Sequence, residues 1–197
     1  VAVIEKAALD GRETVRRIQE FSRTRRDKRF EPVDLVEVLR DALEITKTRW
    51  HNDAMSRNVS IDASLDAEKV PMILGNASEL REVVTNLILN AVDAMPHGGR
   101  IRLSCRRQGD RVVAHCEDTG IGMTEQIRQQ LFDPFFTTKG TRGVGLGLSV
   151  VYGIVTRHEG RVDVVTAPGK GTTFILDFAP TQAIPRTVYW HNGSNTM

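Results

Sequence analysis

The fold of this chain is decided by the stretch Asn86-Leu87-Ile88-Leu89-Asn90-Ala91-Val92-Asp93-Ala94. It belongs to a predicted helix, about 77–95, that opens at Asn76 with a capping pattern in which Glu79 follows three residues later. Apolar residues recur with helical spacing and predict one buried stripe: Leu80, Val83, Val84, Leu87, Ile88, Ala91 and Val92. Steps of four and three residues place a second, polar face beside it: Glu82, Asn86, Asn90 and Asp93. The helix therefore presents a core face and an amide-rich face.

Helix and strand patterns alternate on both sides of this helix. Further helices are predicted at about 35–51, 124–131 and 145–159. Alternating apolar residues predict strands at 59–62, 70–74, 100–107, 111–118, 161–166 and 172–178. We therefore expect a two-layer α/β sandwich, in which a mixed sheet is covered on one face by the three longer helices.

Composition places the chain among ordinary globular proteins. Of its 197 residues 40% are hydrophobic, and the net charge of +2 gives no global field that would favour nucleic acid or an anionic membrane. Cys105 and Cys116 lack metal-binding spacing, which favours reduced core residues and a cytoplasmic location. No apolar run approaches the roughly 18 residues of a membrane span. We expect no nucleic acid and no membrane contact for this part, although the parent protein could be membrane-anchored.

Four parts are predicted along the chain. Residues 1–25 carry apolar and small side chains in alternating steps of four and three, the pattern of a helical bundle seam. Residues 26–33 are interpreted as a linker, and the basic run before Pro32 is more typical of a solvated linker than of a phosphate-binding patch. The main domain is predicted at 34–180 and a loose tail at 181–197. Because the chain begins at Val1, we expect it to be part of a longer protein.

Two polar segments are candidates for binding a ligand. Asn86 and Asn90 offer neutral amide oxygens, which suit Mg²⁺ that already takes its charge balance from phosphate; the alternative is a polar helix face in water. Asp118-Thr119-Gly120-Ile121-Gly122 follows a strand, and a carboxylate there can accept hydrogen bonds from an exocyclic amine. Alone, the second segment could equally be a plain turn.

Two further segments lie in the long loop after residue 118. Gly143-Val144-Gly145-Leu146-Gly147-Leu148 leads directly into a helix, and the N–H groups of a helix N-terminus bind phosphate. It follows a loop and no Gly-Lys-Ser/Thr comes after it, so it matches neither a Rossmann fingerprint nor a Walker loop. The aromatic and then basic run from Phe132 to Lys139 is typical of a lid that is anchored on the domain.

In this order the four segments resemble the motifs of the Bergerat-fold superfamily, which includes gyrase, heat-shock chaperones, mismatch-repair ATPases and histidine kinases. In this resemblance Asn86–Ala94 is the N box, Asp118–Gly122 the first glycine box, Phe132–Phe136 the F box and Gly143–Leu148 the second glycine box. Gly169-Lys170-Gly171-Thr172 is similar to a further, phosphate-proximal glycine motif. The resemblance covers residues 31 to 179.

The resemblance implies ATP and Mg²⁺ as cofactors and a role for each motif residue. Asn90 coordinates Mg²⁺ together with the triphosphate, supported by Asn86, while Asp118 binds the adenine amine. Lys139 is expected to contact the phosphates, so Asn86, Asn90 and Lys139 are the predicted catalytic residues. The remaining predicted nucleotide-binding residues are Asp93, Gly120, Gly122, Gly143, Gly145, Leu146, Gly147, Leu148 and, near Asp118, Thr172 or Thr173.

The residue type at position 86 helps to distinguish the ATPases of this superfamily from its histidine kinases. ATPases of this superfamily that activate water carry glutamate there as general base, and asparagine cannot take a proton from water. Residues 1–25 also resemble the second helix of a histidine kinase dimerisation and phosphotransfer domain. The resemblance therefore implies a histidine kinase that acts as a homodimer, with a phosphoacceptor histidine on an upstream helix and a response regulator as its partner.

Two other functions stay open at this stage. One is an ATP-driven conformational clamp, which would turn over ATP without a protein acceptor. The other is a module that holds nucleotide without chemistry. None of the five histidines is followed by the sequence of a phosphoacceptor box, and His51 is interpreted as a solvent or capping residue.

Overall fold

The computed structural model describes residues 29–56, 59–140 and 144–181. In these ranges the chain forms seven strands and four helices, in the order β1 (Glu31–Val33), α1 (Leu35–Ser56), β2 (Ile61–Ala67), β3 (Ile73–Gly75), α2 (Ala77–Asp93), β4 (Gly99–Gln108), β5 (Arg111–Asp118), α3 (Glu125–Gln130), α4 (Gly147–Arg157), β6 (Arg161–Thr166) and β7 (Thr172–Phe178). No helix of this described part is both long and apolar enough to cross a membrane.

The main sheet has five strands in the order β2-β4-β5-β7-β6. β2 pairs parallel with β4, and the other pairs are antiparallel. The sheet is therefore mixed, as predicted. In sequence, α2 lies between β2 and β4. It is part of the crossover connection that a parallel pair of strands needs.

One face of the sheet carries the core. Side chains at alternate positions of β4, β5 and β7 are buried, among them Ile101, Leu103, Ala114, Cys116, Phe174 and Leu176. They pack with the predicted stripe of α2, all seven members of which are buried. Each large apolar side chain buried in this way contributes about 1.5–3 kcal/mol. The two-layer sandwich is thus confirmed, with α1, α2 and α4 against one face of the sheet.

The two cysteines are free and buried, as their alternating positions predict. Burial raises the pKa of both thiols to about 12. A thiol with so high a pKa carries almost no thiolate at neutral pH, so these cysteines are packing residues.

The structure differs from the prediction near the start of the domain. Residues 31–33, the last part of the predicted linker, form β1 and pair antiparallel with β3. α1 continues to Ser56, and β2 begins at Ile61, two residues later than predicted, and continues to Ala67. A three-residue strand has too little pattern to be read locally, and its pairing partner lies about 40 residues away. The predicted helix at 1–25, residues 26–28 of the predicted linker and the predicted tail at 181–197, apart from residue 181, lie outside the described residues.

A hydrogen bond connects the C-terminal end of α4 with the N-terminal end of α2. His158 is buried, and its Nε2 accepts a hydrogen bond from the Asn76 N–H at 3.0 Å. Its Nδ1 lies 2.8 Å from the Ile154 carbonyl oxygen, so Nδ1 carries the proton. Burial lowers the pKa of His158, which keeps the ring neutral, and Phe30 stacks on it with ring centroids 4.5 Å apart.

Candidate functional site

Asp118 is the buried acid of the site. It is the last residue of β5 and is only 5% exposed. Burial raises the pKa of its carboxyl group, against the opposing effect of backbone hydrogen bonds from Gly120 and Thr172. The Gly120 N–H donates to Asp118 Oδ1 at 2.8 Å. A carboxylate held in this way, at the end of a strand and out of water, can accept hydrogen bonds from a ligand amine.

The loop after Asp118 is tied to the end of α2. The Ile121 N–H donates to the Ala94 carbonyl oxygen at 2.9 Å. A Cβ at Gly120 would lie 2.5 Å from that same oxygen, so only glycine allows this close approach. Gly122 lies against the backbone of Ala167 on the other side. The first glycine motif therefore connects the end of β5 with both α2 and the β6–β7 turn.

The structure distinguishes the two threonines that the sequence leaves open. Thr172 is the cross-strand partner of Asp118 and is 5% exposed on the same face of the sheet. Thr173 pairs with Glu117 and points to the opposite face. Only Thr172 therefore lies beside the buried carboxylate.

The turn at residues 167–171 also lies at this end of the site. The Gly169 N–H donates to the Ile121 carbonyl oxygen at 2.7 Å, and Gly171 approaches the backbone of Asp118. The turn therefore lies against the loop 118–122, and its place near the phosphates, which the resemblance implies, stays a prediction.

The polar face of α2 lies beside the start of α4. Asn86 is half-buried, and its Nδ2 donates to the Glu82 carbonyl oxygen at 3.0 Å. A Cβ at Gly147 would lie 3.4 Å from Asn86 Oδ1, so this amide is next to the N-terminus of α4. The first N–H groups of an α-helix have no intrahelical partners and form a site of partial positive charge. Asn86 and these N–H groups thus lie side by side.

Lys139, the last residue of the run Phe132 to Lys139 that the sequence analysis interprets as a lid, contacts the same face of α2. Its Nζ donates to Asn90 Oδ1 at 3.0 Å and to Asp93 Oδ2 at 2.6 Å. The two oxygens converge on one cationic group, and amide and carboxylate oxygens are also the protein ligands that Mg²⁺ accepts. The donor set therefore fits a hard cation whose remaining ligands come from phosphate and water.

The second glycine motif supports the lid. Gly145 has φ of +71°, and its carbonyl oxygen accepts a hydrogen bond from the Phe135 N–H at 2.9 Å. A Cβ at Gly145 would overlap the Phe135 backbone. Leu146 is buried and Leu148 packs against the core, so both anchor the start of α4. Gly143 lies outside the described residues.

Two threonines near the candidate site were given no role by the sequence analysis. The Thr119 hydroxyl accepts a hydrogen bond from the Arg100 N–H at 3.0 Å, which links the first glycine motif to β4. Thr166 contacts the Thr172 hydroxyl across the β6–β7 hairpin. A threonine at each end of a hairpin turn, in register once the strands pair, is the signal that would have indicated Thr166.

The chain is similar to known proteins in both sequence and fold. The sequence model of the family described as histidine kinase-, DNA gyrase B-, and HSP90-like ATPase matches residues 75–182. Sporulation kinase E of Bacillus subtilis is 35% identical over 146 residues, which cover 74% of this chain and 19% of the relative. Sensor histidine kinase ZraS of Klebsiella oxytoca is 39% identical over 147 residues, 74% of this chain and 30% of the relative.

Solved structures show the same relationship. The mycobacterial sensor histidine kinase MprB superposes with a TM-score of 0.65 at 28% identity, over 77% of this chain and 99% of that one. Full-length ShkA in complex with AMPPNP superposes with a TM-score of 0.66 at 28% identity, over 80% of this chain and 33% of that one.

The chain therefore belongs to the family of histidine kinase-, DNA gyrase B- and HSP90-like ATPases, and residues 75–182 lie in its ATP-binding domain. Within that family, this is an ATP-binding domain of the sensor histidine kinase type. The chain spans less than a third of the length of the two curated relatives described above.

Proposed function

We propose that this chain is the catalytic part of a sensor histidine kinase and transfers the γ-phosphate of Mg-ATP to a histidine on another domain. The proposal includes a homodimeric, cytoplasmic catalytic part and later relay of the phosphoryl group to an aspartate of a response regulator. The observation that carries it is the amide of Asn86 beside the N-terminus of α4. An amide is no base, so at this position the site can orient phosphate but has no group to deprotonate water.

The adenine would lie at Asp118. The buried carboxylate would accept a hydrogen bond from the exocyclic amine, and Gly120 and Gly122 would let the backbone close around a flat ring. The Gly120 N–H that donates to Asp118 Oδ1 fixes the direction in which the carboxylate points.

The triphosphate would extend from there along the polar face of α2 to the start of α4. Asn90 and Asp93 would hold Mg²⁺, directly or through water, with Asn86 in support. When bound, the metal ion neutralises charge on the phosphate oxygens. Lys139 would exchange its present partners for phosphate, because its ammonium group is already within reach of the oxygens proposed for the metal.

Phosphoryl transfer to an imidazole needs little more than this from the ATP-binding side. The transition state is stabilised by positioning and by charge, and the nucleophile comes from the acceptor domain. The lid, predicted at about 123–142 and represented here by residues 131–140, would close over the phosphates and so exclude water.

The experiment is transfer of radioactive label from γ-labelled Mg-ATP to a separately supplied phosphoacceptor domain of the longer protein that the proposal implies. The native chain is compared with Asn90→Ala, and with Ser78→Ala as a matched control at an exposed position of the same helix, away from its polar face. We expect acid-labile label on the acceptor with the native chain and the control, and a loss of at least about tenfold with Asn90→Ala.

Two other outcomes would overturn the proposal in different ways. Consumption of ATP with no label on the acceptor would identify an ATPase. Tight nucleotide binding without either reaction would identify a binding module.

A further inference from the structure

The side chain of Thr166 is the centre of a hydrogen-bond group at the edge of the base site. Thr166 is the last residue of β6, and in register it faces Thr172, the first residue of β7. Its hydroxyl oxygen lies 3.0 Å from the Met123 N, 3.0 Å from the Gly171 carbonyl oxygen and 3.1 Å from Thr172 Oγ1. Met123 begins the segment that leads into the lid, so one hydroxyl joins three parts of the site.

The direction of each hydrogen bond follows from the chemistry of the partners. A hydroxyl group has one hydrogen to donate and can accept two hydrogen bonds. The Gly171 carbonyl oxygen can only accept, so the single Thr166 hydrogen points to it. The Met123 N–H can only donate. The contact with Thr172 can then be a hydrogen bond only if Thr172 is the donor, which leaves the Thr166 hydroxyl with all three bonds filled.

This assignment determines what Thr172 offers to a ligand. Its hydrogen is directed away toward Thr166, so its oxygen presents only lone pairs on the side of Asp118. Asp118 is its cross-strand partner and, in the ionised form, is also an acceptor. The floor of the site therefore has two adjacent acceptors and is complementary to a group with two N–H hydrogens.

We propose that Thr166 is a positioning residue for purine selectivity: by holding the Thr172 hydroxyl as an acceptor, it favours a 6-amino over a 6-oxo purine. An amino group at position 6 supplies hydrogens to both acceptors. An oxo group puts a third acceptor against them and leaves buried polar atoms unpaired, the situation that gives strong discrimination. The inference rests on the proposed placement of the base at Asp118.

The test compares the dissociation constants of ATP and inosine triphosphate at pH 8, by calorimetry, for the native chain and its variants. Thr166→Val keeps the shape but removes the hydroxyl, and it frees the Thr172 hydrogen to rotate toward a 6-oxo group. We expect the preference for ATP to fall by about tenfold, the size of one hydrogen bond. Thr166→Ser restores the hydroxyl and should restore the native preference.

Thr156→Val, an exposed threonine of α4, is the matched control and should keep the native preference. Inosine also has a ring N–H that adenosine lacks, so the readout is the change in the ratio of the two dissociation constants from the native chain to each variant. Thr166→Ala repeats the measurement if Thr166→Val does not fold, since the smaller side chain cannot clash.

An unchanged ratio in Thr166→Val or Thr166→Ala, with both affinities or the melting temperature lowered, would show a purely structural residue and overturn the inference. That result leaves the proposed function intact. Failure of the native chain to bind either nucleotide would instead overturn the placement of the base, and this inference with it.

Discussion

The two ends of the proposed nucleotide site, here called the base end and the phosphate end, are built differently. The base end, Asp118–Gly122 with Thr172, is held by backbone hydrogen bonds to α2 and to the β6–β7 turn, and its acid is buried. The phosphate end consists of the polar face of α2, the start of α4 and the lid. Its contact across the site is made by side chains in water, since Lys139 is 39% and Asp93 is 52% exposed.

This difference indicates which part of the site exists before the ligand arrives. Buried groups with fixed partners lose little entropy on binding, so the base end is pre-organised. An exposed ion pair contributes only about 0–1 kcal/mol and is screened by salt. At the phosphate end, the contacts of Lys139 with Asn90 and Asp93 can therefore be replaced by metal and phosphate at a small cost in free energy. A lid that opens and closes needs such weak contacts.

The largest effect is expected from Asp118→Asn at the base end. Loss of a charged, buried acceptor weakens a hydrogen bond worth about 1.5–3 kcal/mol, so ATP affinity should fall by about 10- to 150-fold. Titration calorimetry with ATP measures this. Glu117→Gln changes the neighbouring carboxylate on the opposite, exposed face and should bind ATP like the native chain. If Asp118→Asn bound ATP as tightly as the native chain, the base end would not be the pre-organised part of the site.

A smaller effect is expected from pH, through the same residue. Burial raises the pKa of Asp118, so its carboxylate is protonated at a higher pH than an ordinary aspartate with a pKa of about 3.9. Because the carboxylate is the acceptor, ATP affinity should decrease as pH falls through the raised pKa. Calorimetry across pH checks this, and Asp118→Asn should lack the titration.

Folding stability should respond to this group with the opposite sign. In the folded state the raised pKa means that the domain binds more protons than the unfolded chain, so the contribution of Asp118 to stability increases as pH falls and is lost as pH rises through the folded pKa. The contribution of Asp118 is measured as the difference in unfolding free energy between the native chain and Asp118→Asn across pH. This difference excludes other carboxyl groups, such as Asp66, whose pKa is lowered by Arg106 and Arg102. A stability contribution of Asp118 that increases as pH rises would contradict the raised pKa of this buried carboxyl group.

The smallest effect is expected from Lys139→Met at the phosphate end. Removal of the contact to Asn90 and Asp93 should speed amide hydrogen exchange in residues 131–140 of the nucleotide-free chain by a few-fold, because an exposed ion pair contributes about 0.2–1 kcal/mol. High salt should reduce the difference. Lys170→Met, an exposed lysine of the β6–β7 turn, is the control. Protection unchanged by Lys139→Met would mean that the lid is held by other contacts, such as the bond from Phe135 to Gly145.

Much of the fold could be predicted from local pattern. The β6–β7 hairpin lies at the predicted residues, 161–166 and 172–178, because both strands alternate and a proline- and glycine-rich turn separates them. β1 and the parallel neighbour of β4 could not be predicted in this way. Their pairing joins segments distant in sequence, and a short strand carries no register information of its own.

The candidate site divides in the same way. The sequence motifs indicate Asn86, Asn90 and Asp118, because their chemistry is visible in the residue types and in the helical spacing. Their roles stay predictions. Lys139 reaches α2 and Thr166 reaches Thr172 only after the chain folds, so no local pattern reveals these contacts.

By itself, the sequence determined the class of domain, the amphipathic α2 and the order of the four motifs, because periodicity and residue chemistry act over a few neighbours along the chain. The tertiary structure alone decided that Thr172 and not Thr173 lies beside Asp118, that Lys139 contacts the two oxygens of α2, and that the turn at 167–171 lies against the loop after Asp118. The physical reason is that side-chain direction and hydrogen-bond partnership depend on strand register and on long-range packing, which only the folded chain defines.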